Sequence, residues 1–143
     1  MRQMKTKYFL TLSITAFVLH ILWENAQAVL YSGYESFFQH FPMCLYGTIG
    51  DVIITILVFP FIRLIKKDEP RTISDYLALA IMGFIIAIAI EQNALLMEKW
   101  NYAPSMPILP GLKVGLAGVA QMTILLPLSF YLAKVFSKKT CAK

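Results

Sequence analysis

The chain has 143 residues, of which 58% are hydrophobic and 15% charged, with a net charge of +5. That much apolar surface excludes an ordinary soluble domain of this length, and no phosphate-cradling loop or cofactor motif appears. The basic residues fall in clusters between apolar stretches, so neither a nucleic acid nor a cofactor is expected as a partner.

Four apolar stretches are each long enough to cross a bilayer core, which needs roughly 20 helical residues. The first, about Tyr8–Tyr31, follows Arg2, Lys5 and Lys7. Its second half reads "HILWENAQAVLY". At helical spacing His20, Glu24, Gln27 and Tyr31 share one face, with Trp23 beside it as a wall. The "AQA" at Ala26–Ala28 resembles a signal-peptide cleavage site. Glu24 and Asn25 make the approach to such a site too polar, so the segment is expected to remain as a span.

The second stretch, about Met43–Ile65, follows a connection carrying Tyr34, Phe37, Phe38 and His40, read as an outer loop with aromatic anchors. Cys44, Thr48, Asp51 and Thr55 form its polar stripe. Arg63, Lys66, Lys67 and Arg71 surround the next connection. The third stretch, about Ser74–Met97, carries Glu91 beside small Ala87, with Glu98 at its rim. The connection "EKWNYAPSMPILPGL", Glu98 to Leu112, reads either as a proline-stiffened cover or as a plain link; its Trp100 and Tyr102 are interface anchors. The fourth stretch, about Leu112–Phe136, places Gln121 after Gly115 and Gly118, where another backbone could approach. Pro127 is expected to kink it. Lys134, Lys138, Lys139 and Lys143 follow.

Eleven of the thirteen basic residues thus flank three of the chain's segment ends, and only Lys99 and Lys113 fall elsewhere. By the positive-inside rule both termini are cytoplasmic. Cys44 and Cys141 then lie on opposite sides and cannot pair. Measured from the expected outer boundaries, Glu24, Asp51, Glu91 and Gln121 all sit about 9–14 Å deep. Intramembrane ionisable groups face a bundle interior or a wet cavity. The expected architecture is all-α: a single domain over residues 1–143, an integral-membrane four-helix bundle with a polar pocket in its outer half.

The chemistry of such a pocket is acid–base. Two carboxyls in poorly solvated surroundings separate into one donor and one acceptor. Glu24, Asp51 and Glu91 are the candidate catalytic acids, with His20 to orient or relay. Trp23, Gln27, Thr48, Gln121, Trp100 and Tyr102 are candidates for holding substrate. A hydrophobic, lipid-like alkene entering from the bilayer could have its double bond moved without a cofactor. Three other readings stay open. One is a receptor or carrier for a hydrophobic or cationic ligand. Another is a proton- or cation-coupled transporter, which with four spans would work as a homodimer. The third is a metal site on His20, Glu24, Asp51 and Glu91, for which one histidine is sparse. A purely structural polar cluster is the non-functional counterpart.

Short motifs add a resemblance. "HILWE" carries His-x-x-x-Glu at His20 and Glu24, Asp51 supplies a second acid, and "QMTILLP" carries Gln121, Ile124 and Pro127. This pattern resembles the EXPERA family of four-span membrane proteins, which includes sterol isomerases. There the second acid is Glu and the last motif has Asn and Trp where this chain has Gln121 and Ile124. The resemblance implies double-bond isomerisation of a sterol-like lipid by His20, Glu24 and Asp51. The loop "MPILPGLKVGL" is also similar to that of small four-span membrane proteins without an assigned activity.

Overall fold

The computed structural model describes residues 2–66 and 70–139, with side chains described over 6–64 and 70–137. Lys67, Cys141 and Lys143 lie outside the described residues. Helix α1 runs Arg2–Gln27 and ends in a 3-10 turn, Ala28–Leu30; α2 is Phe37–Lys66, α3 Ile73–Leu96 and α4 Leu116–Lys139. A two-residue hairpin, β1 Ile108–Leu109 with β2 Val114–Gly115, precedes α4. All four helices are long and apolar enough to cross a membrane, over Thr6–Leu30, Phe37–Leu64, Ile73–Leu96 and Leu116–Ser137. The molecule is thus consistent with a multi-pass membrane protein.

Two boundaries differ from the sequence reading. α2 begins at Phe37, so Phe37, Phe38 and His40 belong to a helix and not to a loop. Gln39 and His40 interrupt the apolar run without breaking the helix, and α2 continues through Pro42, its sixth residue, without the intrahelical bond that residue's N–H would have made. α4 begins at Leu116, because residues 108–115 close a hairpin whose turn needs the left-handed backbone of Gly111 and Lys113, at φ 83° and 56°. α4 continues as helix past Pro127.

Packing follows the order α2–α1–α4–α3. Half of the most apolar window of α4 is buried, against 22% for each other helix, so α4 is the most enclosed element. The others turn residues such as Leu10, Leu22, Leu57, Ile81 and Ile85 outward, as helices apolar all round do in lipid. Where the N-terminal end of α1 meets the C-terminal end of α4, Tyr8, Leu12, Val58, Leu79, Leu126 and Phe130 form a sealed core. The Tyr8 hydroxyl donates to the Phe130 carbonyl at 3.2 Å, and its ring stacks on Phe59. At the same end α3 is started by a capping box: the Asp75 amide donates to the Thr72 hydroxyl, and the Asp75 carboxylate accepts from the Thr72 and Arg71 amides. The Lys134 ammonium donates to the Pro70 carbonyl and ties α4 to this corner.

The close backbone approach is at Gly83, where a Cβ would collide with the Met122 carbonyl of α4. Gly115 and Gly118, to which the sequence reading gave that role, instead admit side chains. A Cβ on Gly115 would press on the Tyr102 ring and the Met106 sulfur.

Candidate functional site

Helical spacing aims His20, Glu24 and Gln27 of α1 at α2 and α4, which flank it. Gln121 of α4 sits at the centre of what they meet. Its amide nitrogen lies 2.7 Å from Asp51 Oδ2, 3.0 Å from Glu24 Oε1 and 3.1 Å from His20 Nδ1. His20 Nδ1 is itself 3.0 Å from Asp51 Oδ2. The Gln121 carbonyl accepts from Gln27 Nε2 at 2.7 Å. Gln27 in turn accepts from the Trp23 indole at 3.1 Å, and that N–H also reaches the Ala117 carbonyl at 3.2 Å. His20, Gln27 and Gln121 are buried, His20 completely. The position that would lie among the oxygens and ring nitrogen of Glu24, Asp51 and His20 is held by a hydrogen-bond donor. Among the described residues no three His, Cys, Asp or Glu side chains group as metal ligands.

Glu91, on α3, is held separately. The Tyr31 hydroxyl donates to its Oε1 at 3.3 Å, and the Trp100 indole to its Oε2 at 3.3 Å. The Tyr102 hydroxyl also donates to Oε2. A Cβ on Gly118 would collide with Glu91 Oε1, so glycine there is what lets the carboxylate lie against α4. The residues 97–115 fold down onto this corner through backbone bonds: Ser32 N to Asn101 O at 2.9 Å and Ala103 N to Leu30 O at 2.9 Å. Tyr31 packs edge-on to Trp100, with ring centroids 6.2 Å apart. Burial pushes the Tyr102 phenol well above its usual range, and its bond to Glu91 adds to that.

The two groups face one cavity of about 390 Å³. Glu24, Gln27, Asp51, Glu91 and Gln121 all line it, with apolar surface from Ile54, Ala87, Ile90 and Met122. α1 and α4 form its back. Its sides are α2 and α3, the two ends of the packing row, which do not pack on each other as the neighbouring pairs do. On the α2 side Gly47 and Gly50 keep the wall thin. A Cβ on Gly47 would lie 3.2 Å from the Glu24 carboxyl carbon, while one on Gly50 would meet nothing within 4 Å.

Of the candidates named from sequence, His20, Glu24, Asp51, Gln27 and Gln121 are brought into one bonded group. Glu91 joins them across the cavity rather than by contact. Trp100 lines the cavity and Tyr102 reaches it through Glu91. Trp23 is no cavity wall: it bridges α1 to α4 behind the site. Thr48 is fully buried and off the cavity surface, with a hydroxyl that finds no partner among the described residues. Ile124 lies on the exposed face of α4. Sequence reasoning gave no functional weight to Gly47, Gly50 or Lys99, and left Tyr31, on the polar face of the first stretch, and His40 outside the candidate site; all five line the cavity. For the glycines a signal existed in their three-residue spacing on the polar side of α2. Comparison with known protein families, with curated proteins and with solved structures finds no match to this chain.

Proposed function

We propose that the protein is an intramembrane acid–base enzyme acting on a hydrophobic, lipid-like molecule of isoprenoid or sterol-like type, as a cofactor-independent double-bond isomerase. One observation carries the reading: two carboxyls, Glu24 and Asp51, share a single amide donor at 3.0 and 2.7 Å on the wall of a largely apolar cavity. Paired acids held that way supply one group to give a proton and one to take it. The balance closes on the substrate alone. One carbon–hydrogen bond forms at an alkene carbon, another breaks at a neighbouring position, and the double bond shifts with no change in formula or oxidation state. The interval between α2 and α3 is the entry from the bilayer. In this reading both termini are cytoplasmic and the cavity occupies the outer half of the membrane. The resemblance to the EXPERA family points the same way.

A second reading has its own support. Among the described residues the acids have one basic partner, His20 on Asp51. A receptor or carrier for a hydrophobic cation would use the remaining carboxylates as its counter-charge.

The test is isotope exchange. Purified protein in lipid discs is incubated in D₂O with a membrane lipid extract. An isomerase leaves deuterium on carbon in a lipid of otherwise unchanged formula. Glu24→Gln and Asp51→Asn should keep bound lipid while lowering that incorporation by about 10²-fold or more, the scale for removing a positioned acid or base. A receptor loses bound ligand in these variants, with no incorporation even in the parent protein. A structural cluster changes neither.

A further inference from the structure

The row Trp23–Gln27–Gln121 has a direction, and the direction comes from its first member. An indole nitrogen can only donate. Trp23 Nε1 lies 3.1 Å from Gln27 and shares its one hydrogen with the Ala117 carbonyl at 3.2 Å; an amino group there would oppose donor to donor, so the end of Gln27 facing it is the carbonyl. The Gln27 amino group then faces Gln121 at 2.7 Å, which turns the Gln121 carbonyl toward it. The Gln121 amino group is thereby left facing Glu24, Asp51 and His20. It has two hydrogens for three neighbours. The nearer two, Asp51 Oδ2 at 2.7 Å and Glu24 Oε1 at 3.0 Å, take them. His20 Nδ1, at 3.1 Å from that nitrogen and 3.0 Å from Asp51, keeps a hydrogen of its own and donates it to Asp51.

The two acids are therefore not equivalent. Asp51 receives two donors within 3.0 Å and Glu24 one, so the negative charge is better held on Asp51 and the proton rests more readily on Glu24. A reversed row would present the Gln121 carbonyl to the acids at 2.7 and 3.0 Å, where an ionised oxygen repels it; a proton on Asp51 or Glu24 relieves that contact, with the His20 Nδ1 hydrogen as the other donor in reach. We infer that Trp23 is a positioning residue whose donor-only indole directs the amide row, making Asp51 the proton-poor acid and Glu24 the proton carrier of the site.

The assignment of a proton carrier rests on the acid–base reading, but the row and its consequence for the resting protein do not. The test therefore reads the resting protein. The chain contains two histidines, so His40→Gln leaves His20 as the sole imidazole signal. In that background nitrogen NMR should place the hydrogen of neutral His20 on Nδ1. Infrared difference spectra should show a protonated-carboxyl band removed by Glu24→Gln and untouched by Asp51→Asn. Trp23→Phe keeps an aromatic body but removes the indole N–H, so nothing holds the Gln27 carbonyl in its direction. A new protonated-carboxyl band, removed by Asp51→Asn, should then appear, and the His20 nitrogen pattern should become mixed. Gln27→Met, with Trp23 intact, should do the same. A His20 hydrogen on Nε2 in the parent protein overturns the proposal without any variant. So does a folded Trp23→Phe protein whose His20 and carboxyl signals match the parent. Absent deuterium incorporation alongside these signatures would remove the enzyme reading and leave the row standing.

Discussion

Two glycines face two carboxyls, and the space each leaves differs. At Gly47 an added Cβ would sit 3.2 Å from the Glu24 carboxyl carbon, so a flexible side chain must give by a few tenths of an ångström. At Gly118 it would overlap Oε1 of Glu91, whose carboxylate is held by Tyr31 on that oxygen and by Trp100 and Tyr102 on the other. Alanine gains about 1 kcal/mol over glycine in a helix interior, and forced overpacking costs about 1–3 kcal/mol. Gly47→Ala should therefore leave the thermal midpoint in detergent unchanged or raised, while Gly118→Ala should lower it. A Gly118→Ala protein more stable than the parent would show that Glu91 is not fixed against α4. Tyr102 supplies a pH test. Its phenol is raised in the folded protein, so its stabilising effect is complete below the unfolded value near 10 and fades as pH climbs through the folded value. The midpoint difference between the parent and Tyr102→Phe should hold steady to about pH 10 and shrink beyond it. The polar stripe of α1 was legible from spacing alone, since residues three and four apart share a face. The spacing of Gly47 and Gly50 was legible too, but not what faces Gly47 or Gly118, because the space a missing Cβ leaves has meaning only once its occupant is known.

At the level of elements, the four helices were legible because hydropathy and length mark them directly. Their ends were not. The second helix starts six residues earlier than hydropathy alone suggests, because "FFQHFP" is as compatible with a helix start as with a loop. The fourth starts later, because the left-handed Lys113 holds a turn that its residue type does not announce. Depths counted from helix ends were therefore displaced for Asp51 and Gln121, yet both meet His20 and Glu24, because antiparallel register sets the level and not the count from an end. The segment of residues 98–112 is tied to the residues just after α1 by backbone bonds from Ser32 to Asn101 and from Ala103 to Leu30. Hydrogen exchange should find the amides of Ser32 and Ala103 protected. Tyr102→Phe should raise their exchange together, since the bridge between Tyr31 and Tyr102 lies between them. Independent exchange would mean that the segment is not held down as a unit.

For the whole molecule, sidedness is tested with cysteines placed at Ser105 and Asp68 in a background lacking Cys44 and Cys141. An impermeant reagent applied outside should label the first and miss the second; the reverse pattern overturns the orientation. Occupancy of the cavity is tested at Gly50, which lines it and where an added Cβ meets nothing within 4 Å. Gly50→Trp should fold normally and lower the lipid recovered with the protein by about tenfold, equivalent to about 1.4 kcal/mol. Undiminished recovery would place the lipid elsewhere. The packing order α2–α1–α4–α3 also bears on biosynthesis. Gln27 finds its partner Gln121 only 94 residues later in the chain. At about 5–20 residues per second, translation takes roughly 5–20 s to reach it. Through that interval the nascent first helix holds a histidine, a carboxyl and an amide with no fourth helix to receive them. A newly made chain must either keep that face in the insertion machinery or lend it to a chaperone until the last span arrives.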